Sequence, residues 1–202
     1  FVVLPALQAV PLPANTSFEA GACLGIPALT AYHAVHCNGG VAGKTVLVAG
    51  GAGAVGHYAV QFAKIAGARL VVATVSGAAK ASLARDAGAD AIVNYRTEDV
   101  AQRCLDLTAG TGVDRIVELD LAANLKTDLS ALRRDGEITA YGSSLPEIPV
   151  PFFPAILKNA RLQFFIVYNL SEADRKSGLA GVTALLAQDR LKHNIDGRLP
   201  LT

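Results

Sequence analysis

One stretch constrains the fold more than any other: Val46-Leu47-Val48-Ala49-Gly50-Gly51-Ala52-Gly53-Ala54-Val55-Gly56. The apolar run before Gly50 reads as a buried strand, the glycines as a tight turn, and the residues after them as the opening of a helix. Gly51, Gly53 and Gly56 meet the G-x-G-x-x-G spacing. That spacing also occurs in plain glycine-rich turns, so the flanking strand and helix give it its weight. In that context Gly51 permits the turn, Gly53 lets backbone N–H groups approach a pyrophosphate, and Gly56 lets the helix pack on the strand. The helix start adds free N–H donors and the positive end of its dipole.

The rest of the chain repeats the strand-then-helix theme. From Lys44 onward, runs rich in Val, Ile and Leu alternate with amphipathic segments, the pattern of a parallel sheet covered on both faces. The expected strands are Thr45–Ala49, Arg69–Val75, Ala91–Asn94, Asp114–Leu119, Glu137–Gly142 and Arg161–Tyr168, with Gly67, Gly88, Gly112 and Gly136 placed to end the intervening helices. Helical spacing joins Val55, Ala59, Phe62, Ala63 and Ala66 in one crossover and Leu129 and Leu132 in another. A final helix runs from Ser171, opened by Ser171-x-x-Asp174, to about Leu191. Right-handed crossovers in this order predict an α/β fold, a doubly wound six-stranded parallel sheet of the Rossmann type.

The N-terminal part differs. Thr16-x-x-Glu19 reads as a capping box, Pro27 suits the first turn of a helix reaching Cys37, and Asn38-Gly39-Gly40 ends it. The proline-spaced segment Phe1–Pro13 reads as one strand and a connector whose pairing partner lies upstream. The chain starts at Phe1 and contains no Met, so the expectation is a piece of a longer protein. Residues 1–16 form a remnant and connector in this reading, and 17–202 the nucleotide-binding domain.

Composition removes several classes. Of 202 residues 51% are hydrophobic and 17% charged, which excludes disorder and coiled coil. A net charge of +1 supplies no basic field for nucleic acid. The charge-free stretches 1–18 and between Glu19 and Lys44 are interrupted by prolines, histidines and glycines and do not read as membrane or signal segments. Cys23, Cys37 and Cys104 form no C-x-x-C pair and no even disulfide set, which fits a reducing, cytoplasmic setting.

Several residues are candidates for chemistry. A site preferring NAD ends its second strand with an acidic residue on the ribose 2′-OH; here Thr74-Val75-Ser76-Gly77-Ala78-Ala79-Lys80 offers hydroxyls, N–H groups and a cation instead. With Tyr95-Arg96 as a further wall, this set favours the 2′-phosphate of NADPH. The plainer alternatives are a solvated first-turn Lys80 and a core Tyr95. Asn124 and Tyr141-Gly142-Ser143-Ser144 stand where later strands end and could flank a nicotinamide ribose, or be no more than turns. His33, His36 and Cys37 share a helix but lack a fourth ligand, so no metal site is expected; they read as partly exposed histidines and a small apolar cysteine. The glycine turn holds no serine, so it is no nucleophile elbow.

Leu24-Gly25-Ile26-Pro27-Ala28-Leu29-Thr30-Ala31-Tyr32, the Val46–Gly56 loop, Gly88-Ala89-Asp90, Asn94-Tyr95-Arg96 and Lys158-Asn159 together resemble the quinone oxidoreductases of the medium-chain dehydrogenase/reductase superfamily, most of all the zeta-crystallin branch. The resemblance implies a GroES-like domain ahead of the nucleotide-binding domain, of which residues 1–16 are the last part. It places NADPH against Thr30 on the carboxamide side, Ala52, Gly53, Ala54 and Val55 at the pyrophosphate, Ser76, Lys80 and Tyr95 around the 2′-phosphate, then Asn124, Tyr141, Gly142, Ser143 and Ser144, with Phe165, Ile166 and Val167 at the nicotinamide. Gly51 and Ala54 replace what is often Ala and Gly in the family, and Ser76 stands where glycine is common, which changes the surroundings of the 2′-phosphate.

Gly25 aligns with a position where zinc alcohol dehydrogenases carry a cysteine ligand, so the resemblance points to the zinc-free branch. There, reducing equivalents pass from NADPH to a quinone by proximity and orientation, with no obligatory acid or base. The expectation is an NADPH-dependent, zinc-independent quinone oxidoreductase, with no catalytic residue identifiable in this segment and the segment inactive alone. The alternatives are an NADPH-dependent enone or alkenal reductase and a catalytically incomplete NADP-binding module. The family dimerises by pairing final strands, here Phe164–Tyr168, which implies a homodimer; RNA binding, linked to relatives, is disfavoured by the charge.

Overall fold

The computed structural model describes residues 3–5 and 8–199. Phe1, Val2, Ala6 and Leu7 of the expected N-terminal strand lie outside the described residues, and the described part of Phe1–Pro13 contains no strand. Pro5, Pro11 and Pro13 lack the N–H a ladder needs.

The strands are β1 (Thr45–Val48), β2 (Leu70–Val75), β3 (Ala91–Asn94), β4 (Val113–Glu118), β5 (Leu132–Ala140) and β6 (Arg161–Phe164). All pair in parallel in the order β3-β2-β1-β4-β5-β6. This is the expected doubly wound sheet, with β1 flanked by β2 and β4 at the point where the winding reverses. The helices are α1 (Phe18–His36), α2 (Ala54–Ile65), α3 (Ala78–Asp86), α4 (Val100–Leu107), α5 (Leu121–Ala131), α6 (Phe152–Ile156) and α7 (Glu172–Ala187). Alternate residues of β1 serve opposite cores: Val46 and Val48 face α1, α2, α3 and α7, while Leu47 faces α4 and α5. Both faces being covered, the strand reads as a continuous apolar run. No helix among the described residues is long and apolar enough to cross a membrane.

Several boundaries differ from the sequence reading. Helix α1 starts at Phe18, and Pro27 lies inside it. The cap is Ser17, whose hydroxyl accepts from the Ala20 N–H at 3.2 Å, while Thr16 lies one residue outside. An interior proline costs about 3 kcal/mol, and α1 carries it because Leu24, Ala28, Ala31, Ala34 and Val35 are buried in the core shared with α2. Leu132 opens β5 instead of closing α5, since the chain passes against Gly112, where a side chain would overlap the Ala131 carbonyl at 2.6 Å. Gly136 ends no helix: it lies within β5, and the left-handed residue beside it is Asp135, φ 60°. Strand β6 stops at Phe164, after which Val167–Asn169 makes a 3-10 turn, and α7 stops at Ala187.

A buried ion pair fastens α1 to the sheet. Arg115 of β4 donates to the Ala34 carbonyl (2.9 Å), the Cys37 carbonyl (3.3 Å) and Glu137 of β5 (3.2 Å), and Asn38 also donates to Glu137. At the other end, Lys192 is held by Gln61 and His57 of α2, and Tyr58 meets His193 at 2.8 Å.

Candidate functional site

The glycine turn is built by close approach as much as by backbone freedom. Gly50, outside the spacing fingerprint, has φ 63°, and its N–H donates to the Thr74 hydroxyl of β2 at 2.9 Å. Thr74 therefore serves the turn instead of standing free for a phosphate. A Cβ on Gly51 would come within 2.5 Å of the Ala73 Cβ, and one on Gly56 would overlap the Gly50 carbonyl oxygen. The turn is thus clamped between β2 and α2. Gly53 caps α2 with no side chain, so the first N–H groups of that helix have no side-chain acceptor.

A cleft of about 390 Å³ opens beside this turn, at the carboxyl ends of β1, β2 and β4. Ala52, Gly53, Ser76, Lys80, Tyr95 and Asn124, six of the expected cofactor residues, line it. Lys80 and Tyr95 are exposed, Tyr95 by 53%, so the tyrosine is a wall of the cleft and not a core aromatic. Gly77 caps α3, again without a side chain, so two uncapped helix starts face the same region. No acidic residue stands at the end of β2, where Val75 is followed by Ser76 and Gly77.

The opposite wall was not foreseen in the sequence: Glu118, Leu119, Asp120, Thr127 and Asp128 line the cleft from β4 and α5, and Val100 from α4. Asp120 caps α5 and accepts from the Ser144 N–H at 2.8 Å, and this donor, with those of the first helical turn, holds its carboxyl below the usual range. An aspartate at the start of a helix after a predicted strand was the available signal.

A second cleft of about 420 Å³ lies one strand over, lined by Tyr141, Gly142, Ser143, Phe165 and Ile166. Ser144, next in the chain to its lining residue Ser143, donates to Asp120 on the wall of the first. Gly142 has no room for a side chain, because a Cβ would meet the Leu119 carbonyl, and burial pushes the Tyr141 phenol well up. The Phe165 ring lies 4.6 Å from that of His33, tilted 57° to it, and 6.3 Å from that of Tyr141. Ala54 and Val55 stand in the first turn of α2, outside the residues that line either cleft. Thr30 and Val167 are buried and line neither.

The histidines of α1 serve packing. His36 stacks on Tyr32 at 3.9 Å, and burial lowers the pKa of both His33 and His36. Cys37 touches Arg115, and Cys104 is buried. No group of three or more His, Cys, Asp or Glu among the described residues could hold a metal ion, and Gly25 is an exposed residue of α1 with open space around it.

Comparison with known proteins follows the same lines. The sequence profile described as "Zinc-binding dehydrogenase" matches residues 54–182, from the first turn of α2 into α7. The chain is 33% identical over 153 residues to an alcohol dehydrogenase of Geobacillus stearothermophilus, covering 76% of this chain and 44% of the relative. It is 34% identical over 133 residues to the quinone oxidoreductase of Pongo abelii, covering 65% and 40% respectively. The crystal structure of Escherichia coli quinone oxidoreductase complexed with NADPH superposes with a TM-score of 0.81 at 27% identity, over 91% of this chain and 58% of that one. The chain thus spans less than half the length of these two curated relatives. With a profile match over more than half its residues and the doubly wound parallel sheet expected from the strand–helix alternation, this chain belongs to the zinc-binding dehydrogenase family, within the medium-chain dehydrogenase/reductase superfamily.

Proposed function

We propose that the intact protein is an NADPH-dependent, zinc-independent quinone oxidoreductase, and that this chain carries its cofactor site. The observation that bears most of the reading is the first cleft. An uncapped glycine turn, Ser76, Lys80 and Tyr95 surround one cavity at the strand-order reversal, with no carboxylate at the end of β2. The turn and the first N–H groups of α2 would hold the pyrophosphate. Ser76, Lys80 and Tyr95 would surround a 2′-phosphate, meeting it with hydroxyls and a cation. Asn124, Tyr141–Ser144 and Phe165–Val167 would line the nicotinamide half. Bound NADPH supplies the hydride; the protein's part is to orient it and keep water away. The oxidoreductase class comes with the family, and the quinone with relatives that bear that name.

Residues 1–16 are assigned to the end of a GroES-like domain and 17–202 to the nucleotide-binding domain. The proposal includes a cytoplasmic homodimer joined at the β6 edge, where Phe164 is exposed. Calorimetric titration with NADPH and with NADH tests the cofactor assignment: tighter NADPH binding supports it, and equal or tighter NADH binding overturns it. Turnover by the full-length protein tests the acceptor. Quinone-dependent NADPH oxidation above the blank supports the proposal, and faster oxidation with enones would assign an enone reductase instead.

A further inference from the structure

The first cleft contains a pair of groups that nucleotide binding does not account for. Glu118 ends β4, Asp128 lies on α5, and both line the cleft while being 0% and 2% exposed. One Glu118 oxygen, Oε1, is occupied by the Asp120 N–H and by the Asn124 amide at 2.9 Å. The other, Oε2, and Asp128 Oδ2 have no donor among the described residues, and the two carboxyls face one another. Neither has an ion-pair partner among those residues. Two buried carboxylates turned together in a medium of low dielectric repel strongly, whereas one proton between them gives each bare oxygen its missing partner.

We infer that Glu118 and Asp128 hold one proton between them and act as a clasp that positions the β4–α5 turn, and with it the Asn124 amide, for the nucleotide. The inference rests on the reading of the first cleft as a nucleotide site. Burial raises both carboxyls, Asp128 to about 9 with Glu118 adding to the effect, so the clasp stays closed through neutral pH. The other ionisable groups around it do not displace the proton. Cys104 of α4 faces Asp128 with its thiol pushed up to about 12, mainly by burial. Tyr141 faces Glu118 from the end of β5 with its phenol raised. Asp120 is taken up by the Ser144 N–H, while Lys80 and Tyr95 stand on other walls of the cleft. Loss of the proton adds a second charge, and the repulsion between the two carboxylates drives Glu118 away from Asp128, carrying with it the Asn124 amide and the Asp120 N–H that it holds. Because Asp120 also holds Ser144, the change reaches the second cleft.

The test uses NADPH, calorimetry from pH 7 to pH 10, and the infrared carbonyl stretch of a protonated carboxyl. Asp128→Asn keeps a donor toward Glu118 but cannot titrate; Glu118→Gln gives Asp128 a neutral partner and provides a second variant should the first fail to fold. The expected results are a protonated-carboxyl band at pH 7 that Asp128→Asn removes, and a wild-type Kd that rises about tenfold from pH 8 to pH 10, as one linked proton requires. In Asp128→Asn the rise over that range is expected to be less than about twofold, and in Glu118→Gln, where burial alone still raises Asp128, it is expected to move to lower pH and shrink between pH 8 and pH 10. Absence of the band at pH 7 overturns the shared proton itself. A band with equal pH dependence in wild type and variants overturns the positioning role. A band with no nucleotide binding at all fails the cofactor reading separately and takes the positioning role with it.

Discussion

Gly56 is where the nucleotide turn has least room. Any Cβ there would strike the Gly50 carbonyl, which is backbone and cannot swing aside. Gly56→Ala should therefore push α2 off the turn and cost about 2–3 kcal/mol in chemical denaturation. Lys80 makes the opposite case, because it is exposed and nothing in the fold needs it. Lys80→Ala should leave the melting temperature unchanged and weaken NADPH by about 1 kcal/mol, roughly fivefold in Kd, with NADH unaffected; equal losses for both nucleotides would contradict its assignment to the 2′-phosphate. At this scale the sequence was informative where chemistry is local. Glycine spacing and a missing acid after β2 can be read from neighbours in the chain. The engagement of Thr74 with Gly50 could not, since it joins residues brought together only by β1–β2 pairing.

Among the elements, α1 shows how packing overrides a local stop signal. Pro27 read as a helix start, yet the helix runs through it because one face is buried against α2. The true start depends on Ser17, and Ser17→Ala should cost about 1 kcal/mol of stability. The far end of α1 depends on Arg115. Removing that side chain strands Glu137, 4% exposed, with Asn38 as its one side-chain partner among the described residues, and frees the Ala34 and Cys37 carbonyls from Arg115. Arg115→Ala should accordingly cost about 3–5 kcal/mol by urea denaturation. Strand β6 is shorter than the sequence suggested, because the chain turns into a 3-10 segment once Phe165 has donated to the Ala140 carbonyl. The proposed dimer edge is therefore Arg161–Phe164. Sedimentation at micromolar concentration should give a dimer, and Phe164→Arg a monomer.

Over the whole molecule, buried titratable groups set opposing slopes of stability with pH. Asp128 binds its proton in the folded state up to about 9, against 3.8 for an ordinary aspartate. Between those values the unfolded chain has lost a proton that the folded one keeps, so stability falls as pH rises, by about 1 kcal/mol per pH unit. His33, His36, His57 and His193 are all lowered, chiefly by burial. The unfolded chain takes up protons there first, so their contribution is present above about 6.5 and is lost as pH falls. Melting curves should accordingly fall from about pH 6.5 toward pH 9, where the Asp128 slope acts alone, and Asp128→Asn should flatten that fall while steepening the acid side, where the two slopes oppose one another. Sequence by itself determined the strand–helix alternation, the doubly wound six-stranded class and the nucleotide turn, because each follows from periodicity and from glycines a few residues apart. Tertiary structure alone decided the Glu118–Asp128 pair, the Arg115 fastening and the wall that β4 and α5 give the cleft. In each of these, a polar group's partner is chosen by which elements meet in space, and a burial cost that no local pattern encodes makes the choice matter.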